Sequence, residues 1–539
     1  MQSSKRGGIL LATILIIAAI LGGLCGPSLK ATAADADDLQ DSVESFARVV
    51  SIVQQNYADP VDTDTLVFDG AIPGMLHVLD PHSYFFDPKA WALQMEVQRG
   101  NYYGVGMRVF QNASNQTEVL SPFVGSPADK AGIKAGDIID EVDGKDCSEL
   151  NTTQVADLLK GPKGTVVTIA LGREGYSKPV VVNVMRDEIP QSAVQYSALL
   201  RPGIGYAHVT GFSSETTDAD LAAAMKRLDY SHLDGFILDL RDNPGGLLMQ
   251  AIGMADMFLS KDQLVVSQKG RASPERRYYA LRGNDGREIP VVVLINGGSA
   301  SASEIVSGAL QDHDRALIAG ERSFGKGLVQ TQIPLADGTA LLLTTARYYT
   351  PTGRLIQRDY KNVTLYDYEF NRQPNKEPEV KLTDSGRKVY GGGGITPDVS
   401  DPAPKYDPFQ TLLLARGVFF PTDEGVGDFT RYFMGTRPAI TKDFTVDDAV
   451  MKQFFGYLDQ QHISYTPDEV KANDDWIRTH IKREVFTYAL GLPAGFKISV
   501  DNDPQIEKAI ELIPQAKALY DTAKKIVAER QASELGQPQ

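Results

Sequence analysis

Between residue 188 and about residue 400, short apolar runs alternate with stretches of helical period, and this alternation constrains the fold most. Ile204–Val209 reads as a strand, Asp218–Leu228 as an amphipathic helix, and Gly235–Leu240 and Val291–Ile295 as buried strands. Such an order predicts an α/β fold with helices packed on a sheet. Pro334–Thr345 carries Asp337-Gly338 between apolar runs and predicts a hairpin. Asp359–Lys388 is polar and poor in aliphatics, so it reads as a surface insertion.

The chain has 539 residues, too many for one core, so three or four domains are expected. A net charge of −15 disfavours a nucleic-acid partner, which needs a basic surface. No Gly-x-x-x-x-Gly-Lys-[Ser/Thr] occurs, which argues against ATP-driven work. With only Cys25 and Cys147, neither a disulfide framework nor a cysteine zinc site is expected. The histidines are scattered without His-Glu-x-x-His, so no metal or other cofactor is expected.

Residues 1–34 read as a signal peptide or membrane anchor. Lys5 and Arg6 precede the apolar run Gly8–Leu24, and Ala31-Thr32-Ala33 offers a small-x-small cleavage site. The run is at the short limit for a spanning helix, so anchorage and membrane association stay open. Leu24 is large where lipidation of Cys25 would want a small residue. The mature chain is therefore expected outside the cytoplasm, in the periplasm or cell envelope.

Residues 35–99 read as a small helical domain. Val43, Phe46, Val49, Val50 and Val53 fall at helical spacing, and the stripe is expected to be core. Asp80-Pro81-His82-Ser83 breaks the helical pattern. Residues 100–187 change to short strands and turns around a helix at Thr152–Leu159. Residues 188–406 form the α/β core. Residues 407–539 are mostly helical and show no chemistry; packing, oligomerisation and substrate caging stay open there.

Two segments of the core carry chemistry. Asn296-Gly297-Gly298-Ser299-Ala300-Ser301 follows a strand and precedes a helix, which leaves free backbone N–H groups around a serine. Taken singly, Ser299, Ser301 and Ser303 are ordinary N-cap or packing residues. Phe324-Gly325-Lys326-Gly327 offers a lysine between glycines. A serine hydroxyl needs a base, and lysine serves only when held neutral, which calls for burial. A third segment, Asp239-Leu240-Arg241-Asp242-Asn243-Pro244-Gly245-Gly246, ends a buried strand in a glycine turn that could donate N–H groups to an oxyanion.

These three segments, in order, resemble the carboxy-terminal processing (tail-specific) peptidases across roughly residues 35–400. The resemblance implies a crotonase-like α/β protease core in a multidomain α/β chain, with an inserted β-rich PDZ domain and helical terminal regions. It implies Ser301 as nucleophile, Lys326 as base and Gln330 as the group that orients the lysine amine. Oxyanion donors would be Gly245 or Gly246, and Ala302. The order of elements in 100–187 resembles a circularly permuted bacterial PDZ domain. It implies that Gly104, Val105, Gly106 and Met107 bind the carboxylate of a peptide tail, added as a strand beside Thr152–Leu159. The implied partners are proteins with exposed C-terminal tails. A trypsin-like protease would need a Gly-x-Ser-Gly-Gly turn preceded by His and Asp, which is missing. A non-catalytic PDZ scaffold would lack the serine or the lysine, and both are present.

Overall fold

The computed structural model describes residues 33–112, 114–361, 363–370, 379–423, 425–436 and 440–535. The apolar run Gly8–Leu24, Cys25 and most of the expected cleavage site lie outside the described residues. The chain divides into a body ending at Leu79 and a second body, Asp80–Gln539. In the first, helices span Ala33–Asn56 and Ile72–Leu79, with a π-helical turn at Thr65–Ala71. The stripe expected as core is not covered: Val43, Phe46 and Val49 are exposed.

The second body is built on a six-stranded sheet. Its order is Val194–Arg201, Ile204–Val209, Gly235–Asp239, Val291–Ile295, Leu317–Gly320 and Val399–Ser400. The first pair is antiparallel and the others are parallel. Strand side chains alternate between faces. Phe236, Leu238, Val291 and Val293 therefore meet the helices Thr217–Arg227, Leu248–Asp256 and Ala302–Asp312. Ile237, Val292 and Leu294 meet Ile506, Ala509 and Ile513 of the long helix Pro504–Leu535. Both faces are covered, which is why the central strands are apolar throughout.

A second sheet holds the hairpin Leu328–Pro334/Ala340–Tyr349, turning at Asp337-Gly338 as expected. A strand absent from the sequence reading, Tyr84–Phe86, pairs antiparallel with Ala340–Leu342. The polar segment 359–388 is not wholly a surface insertion. Tyr368 is 2% exposed and packs against Phe324.

Strands Asn101–Gly104 and Asp187–Pro190 pair to form the two-stranded ribbon through which residues 107–185 join the core. Those residues form an antiparallel sheet with the helix Thr152–Leu159, whose Asn151/Gln154 capping box fixes its start. The helices from Pro408 to Asp501 bury an aromatic core around Phe419, Phe429 and Phe454. They dock on the 107–185 sheet through Arg431, which pairs with the buried Glu118, and through Phe420 against Phe110.

Candidate active site

The strand Val291–Ile295 ends in a tight turn closed by Ser299 N–H donating to Asn296 O at 2.9 Å. The helix begins at Ala302. Between them Ser301 has φ 54° and ψ −109°, in the positive-φ half of backbone space where a residue with a side chain is rarely found. Such a backbone costs about 1–3 kcal/mol and persists only when its surroundings over-determine it. Glu304 does so, accepting the Ser301 N–H at 2.8 Å. The neighbouring serines differ. Ser299 Oγ donates to Leu240 O at 2.7 Å and Ser303 Oγ to Asn243 O at 2.9 Å, and both are fully buried. Ser301 is half-buried.

The glycine turn lies against this serine. A Cβ on Gly245 would meet Ser301 Cβ at 2.7 Å and Ala302 N at 2.8 Å. The two glycines are not equivalent. Gly245 N–H donates to Asn243 Oδ1 at 3.0 Å. Gly246 sits opposite Phe212, where Gly245 O accepts from Phe212 N–H and Leu247 N–H donates to Phe212 O. That pairing does not use the Gly246 N–H. Ala302, first in its helix, has no preceding turn to receive its own N–H.

Glu304 also holds the lysine segment. It is fully buried, and its carboxylate accepts from Ser323 Oγ (2.5 Å), Gly325 N–H (2.7 Å) and Lys326 N–H (2.8 Å). Burial pushes its pKa up, while the donors from Ser323, Lys326, Ser301 and Gly325 favour the charged form. Tyr348 adds a second tie: its buried hydroxyl bonds to the carbonyls of both Ser301 (3.0 Å) and Lys326. Lys326 Nζ donates to Gln330 Oε1 at 2.9 Å. Gln330 Nε2 in turn donates to the carbonyl oxygen of His82. The structure thus brings Ser301, Ala302, Gly245, Gly246, Lys326 and Gln330 into one locale. Sequence reasoning assigned Tyr348, His82 and Glu304 no part in the site.

The expected carboxylate loop lies elsewhere, where the ribbon leads into the sheet 107–185. Gly104 belongs to the ribbon, opposite Asp187. Val105 O and Gly106 O accept from Ala128 N–H and Ser126 Oγ, both at 2.8 Å. The Gly106 and Met107 N–H groups face the Tyr102 hydroxyl, whose pKa burial pushes up to about 12. A groove of about 680 Å³ opens beside them, lined by Met107, Phe123, Ala156 and Leu159. The helix Pro88–Arg99 contributes Leu93 and Val97 to its wall.

A family model for peptidase family S41 matches residues 203–364, and a PDZ-domain model matches residues 119–173. The α/β core and its inserted module are those of a serine-type peptidase with a PDZ domain. The chain belongs to peptidase family S41, among the carboxy-terminal processing proteases. It is 43% identical over 316 residues to a carboxy-terminal-processing protease of Bartonella bacilliformis, covering 58% of this chain and 72% of that one. It is 31% identical over 510 residues to the carboxy-terminal processing protease CtpA of Bacillus subtilis, covering 94% and 97%. The solved photosystem II D1 C-terminal processing protease is similar at 30% identity and a TM-score of 0.35, covering 66% and 86%.

Proposed function

We propose that this chain is an ATP-independent serine endopeptidase that takes protein C-terminal tails on its PDZ domain and cleaves them with a Ser301–Lys326 dyad. The observation that carries this reading is the double tie between the two residues: the Glu304 carboxylate accepts both backbone N–H groups, and the Tyr348 hydroxyl reaches both carbonyls. Neutral Lys326 takes the Ser301 proton as Oγ bonds to the scissile carbonyl carbon. The oxyanion rests on the N–H groups of Ala302 and Gly246, because Gly245 N–H is committed to Asn243. Collapse breaks the C–N bond and Lys326 returns the proton to the leaving nitrogen. Water, deprotonated by the same amine, then releases the acyl group from Ser301. Gln330 holds the amine throughout. The basic and apolar leader supports an envelope location, which fractionation of tagged protein tests.

The dyad is tested by the pH–rate profile of wild type beside Lys326→Arg on one free-acid peptide. Arginine stays protonated and cannot act as base. The wild-type rate should rise through one ionisation well below the lysine value of about 10.4, and Lys326→Arg should be inactive. Substantial cleavage by the arginine variant would overturn the dyad and point to a histidine base.

A further inference from the structure

The amide of Gln330 has two unlike ends, and its orientation is set from outside the serine and lysine segments. A backbone carbonyl can only accept, so the His82 oxygen requires Nε2 on its side. Oε1 is thereby turned toward Lys326 Nζ, 2.9 Å away. The opposite orientation would set an N–H donor against the amine. A neutral amine would then give that donor the lone pair needed for the serine proton.

We propose that the turn Asp80–Ser83 is a positioning element of the catalytic site, holding Gln330 in the one amide orientation that leaves the Lys326 lone pair free to act. The proposal rests on the dyad reading above. Asp80, 5% exposed, builds the turn. Its Oδ1 accepts from His82 N–H and Ser83 N–H, each at 2.8 Å, and its Oδ2 accepts from Ser83 Oγ at 2.8 Å. Ser83 Oγ accepts from Thr344 N–H at 3.1 Å, and Thr344 is the residue directly opposite Gln330 in the hairpin. The strand Tyr84–Phe86 continues the same attachment along Ala340–Leu342. On the far side, His82 Nε2 lies 2.9 Å from the buried Tyr368 hydroxyl. The turn is therefore fixed on two sides, with its carbonyl aimed at one atom of the site. Asp80 touches no reacting atom; it acts through the His82 carbonyl and Gln330.

A double-mutant cycle at saturating peptide tests this. Asp80→Ala should lower kcat roughly ten- to hundredfold with little change in KM, since misplacement within a site costs on that order. In a Gln330→Ala background the same substitution should cost nothing further, because its only route to the amine is gone. Asp80→Ala should also move the pH–rate inflection downward, since the ammonium loses a held acceptor. If Asp80→Ala lowers the melting temperature too far to assay, Ser83→Ala takes its place in the cycle with the same expectation. Losses that multiply, or an inflection that does not move, would overturn the proposal. An active Lys326→Arg would instead overturn the dyad itself, so the two failures are separable.

Discussion

Ser299, Ser301 and Ser303 occupy alternate positions of one turn, and their hydroxyls have different surroundings. Two are sealed among backbone carbonyls, and the third sits on strained backbone with Gly245 against its Cβ. Ser301→Ala should abolish peptide cleavage and leave the melting temperature near wild type. Ser299→Ala and Ser303→Ala should keep the chemistry and lose about 1–3 kcal/mol of stability each, because a buried carbonyl loses its donor. Peptide turnover alongside urea unfolding checks both. Turnover by Ser301→Ala would refute the assignment. The sequence distinguishes these serines only by resemblance, since the partners Leu240 and Asn243 lie in another segment.

At the scale of elements, the sequence shows clearly what local pattern controls. The strand Val291–Ile295, the helix Thr152–Leu159 and the Asp337-Gly338 hairpin all carry period or turn signals. Illegible were the parts recruited from far along the chain. The His82 carbonyl meets Gln330 across 248 positions, and a bond to a backbone oxygen has no side-chain signature. Tyr348 looks like any strand aromatic, and Tyr368 sits in a stretch too polar to suggest burial. The glycines Gly104 and Gly106 were legible; their neighbour Tyr102 was not. On the carboxylate-loop reading, a tail arriving at Gly106 and Met107 would compete with the Tyr102 hydroxyl for their N–H groups. Tyr102→Phe keeps the ring and removes that competitor, so a free-acid peptide should bind several-fold tighter while its amidated form is unchanged. Fluorescence anisotropy of the labelled peptides measures this. Equal affinities for wild type and variant would show that the hydroxyl does not occupy the site the tail needs.

The whole molecule has a pH response that follows from two buried rings. His82 and His480 are both lowered to about 4, first by burial and next by a positive charge, Lys326 for His82 and Arg483 for His480. An unfolded histidine titrates near 6.5, roughly. Between that value and 4 the unfolded chain binds protons that these folded rings do not. Stability should therefore fall as pH drops through this window, by at most about 3 kcal/mol per ring. His313 works in the opposite sense, because Asp384 and the Leu264 carbonyl more than offset its burial. Urea unfolding at pH 7 and pH 5 should show a smaller drop for the His82→Gln/His480→Gln double variant than for wild type. An equal drop would place the acid sensitivity elsewhere.

The long helix Pro504–Leu535, with Val500 just before it, covers the Ile237, Val292 and Leu294 face of the central sheet, and Arg241, beside the glycine turn, reaches Asp503 at 2.8 Å and Gln505 at 2.9 Å. During synthesis the ribosome finishes the serine and lysine segments long before it makes that helix. Until then Ile237, Val292 and Leu294 lack their cover, and Arg241 keeps only Asp239 of its partners. That face of the sheet is therefore completed by the last part of the chain to be made.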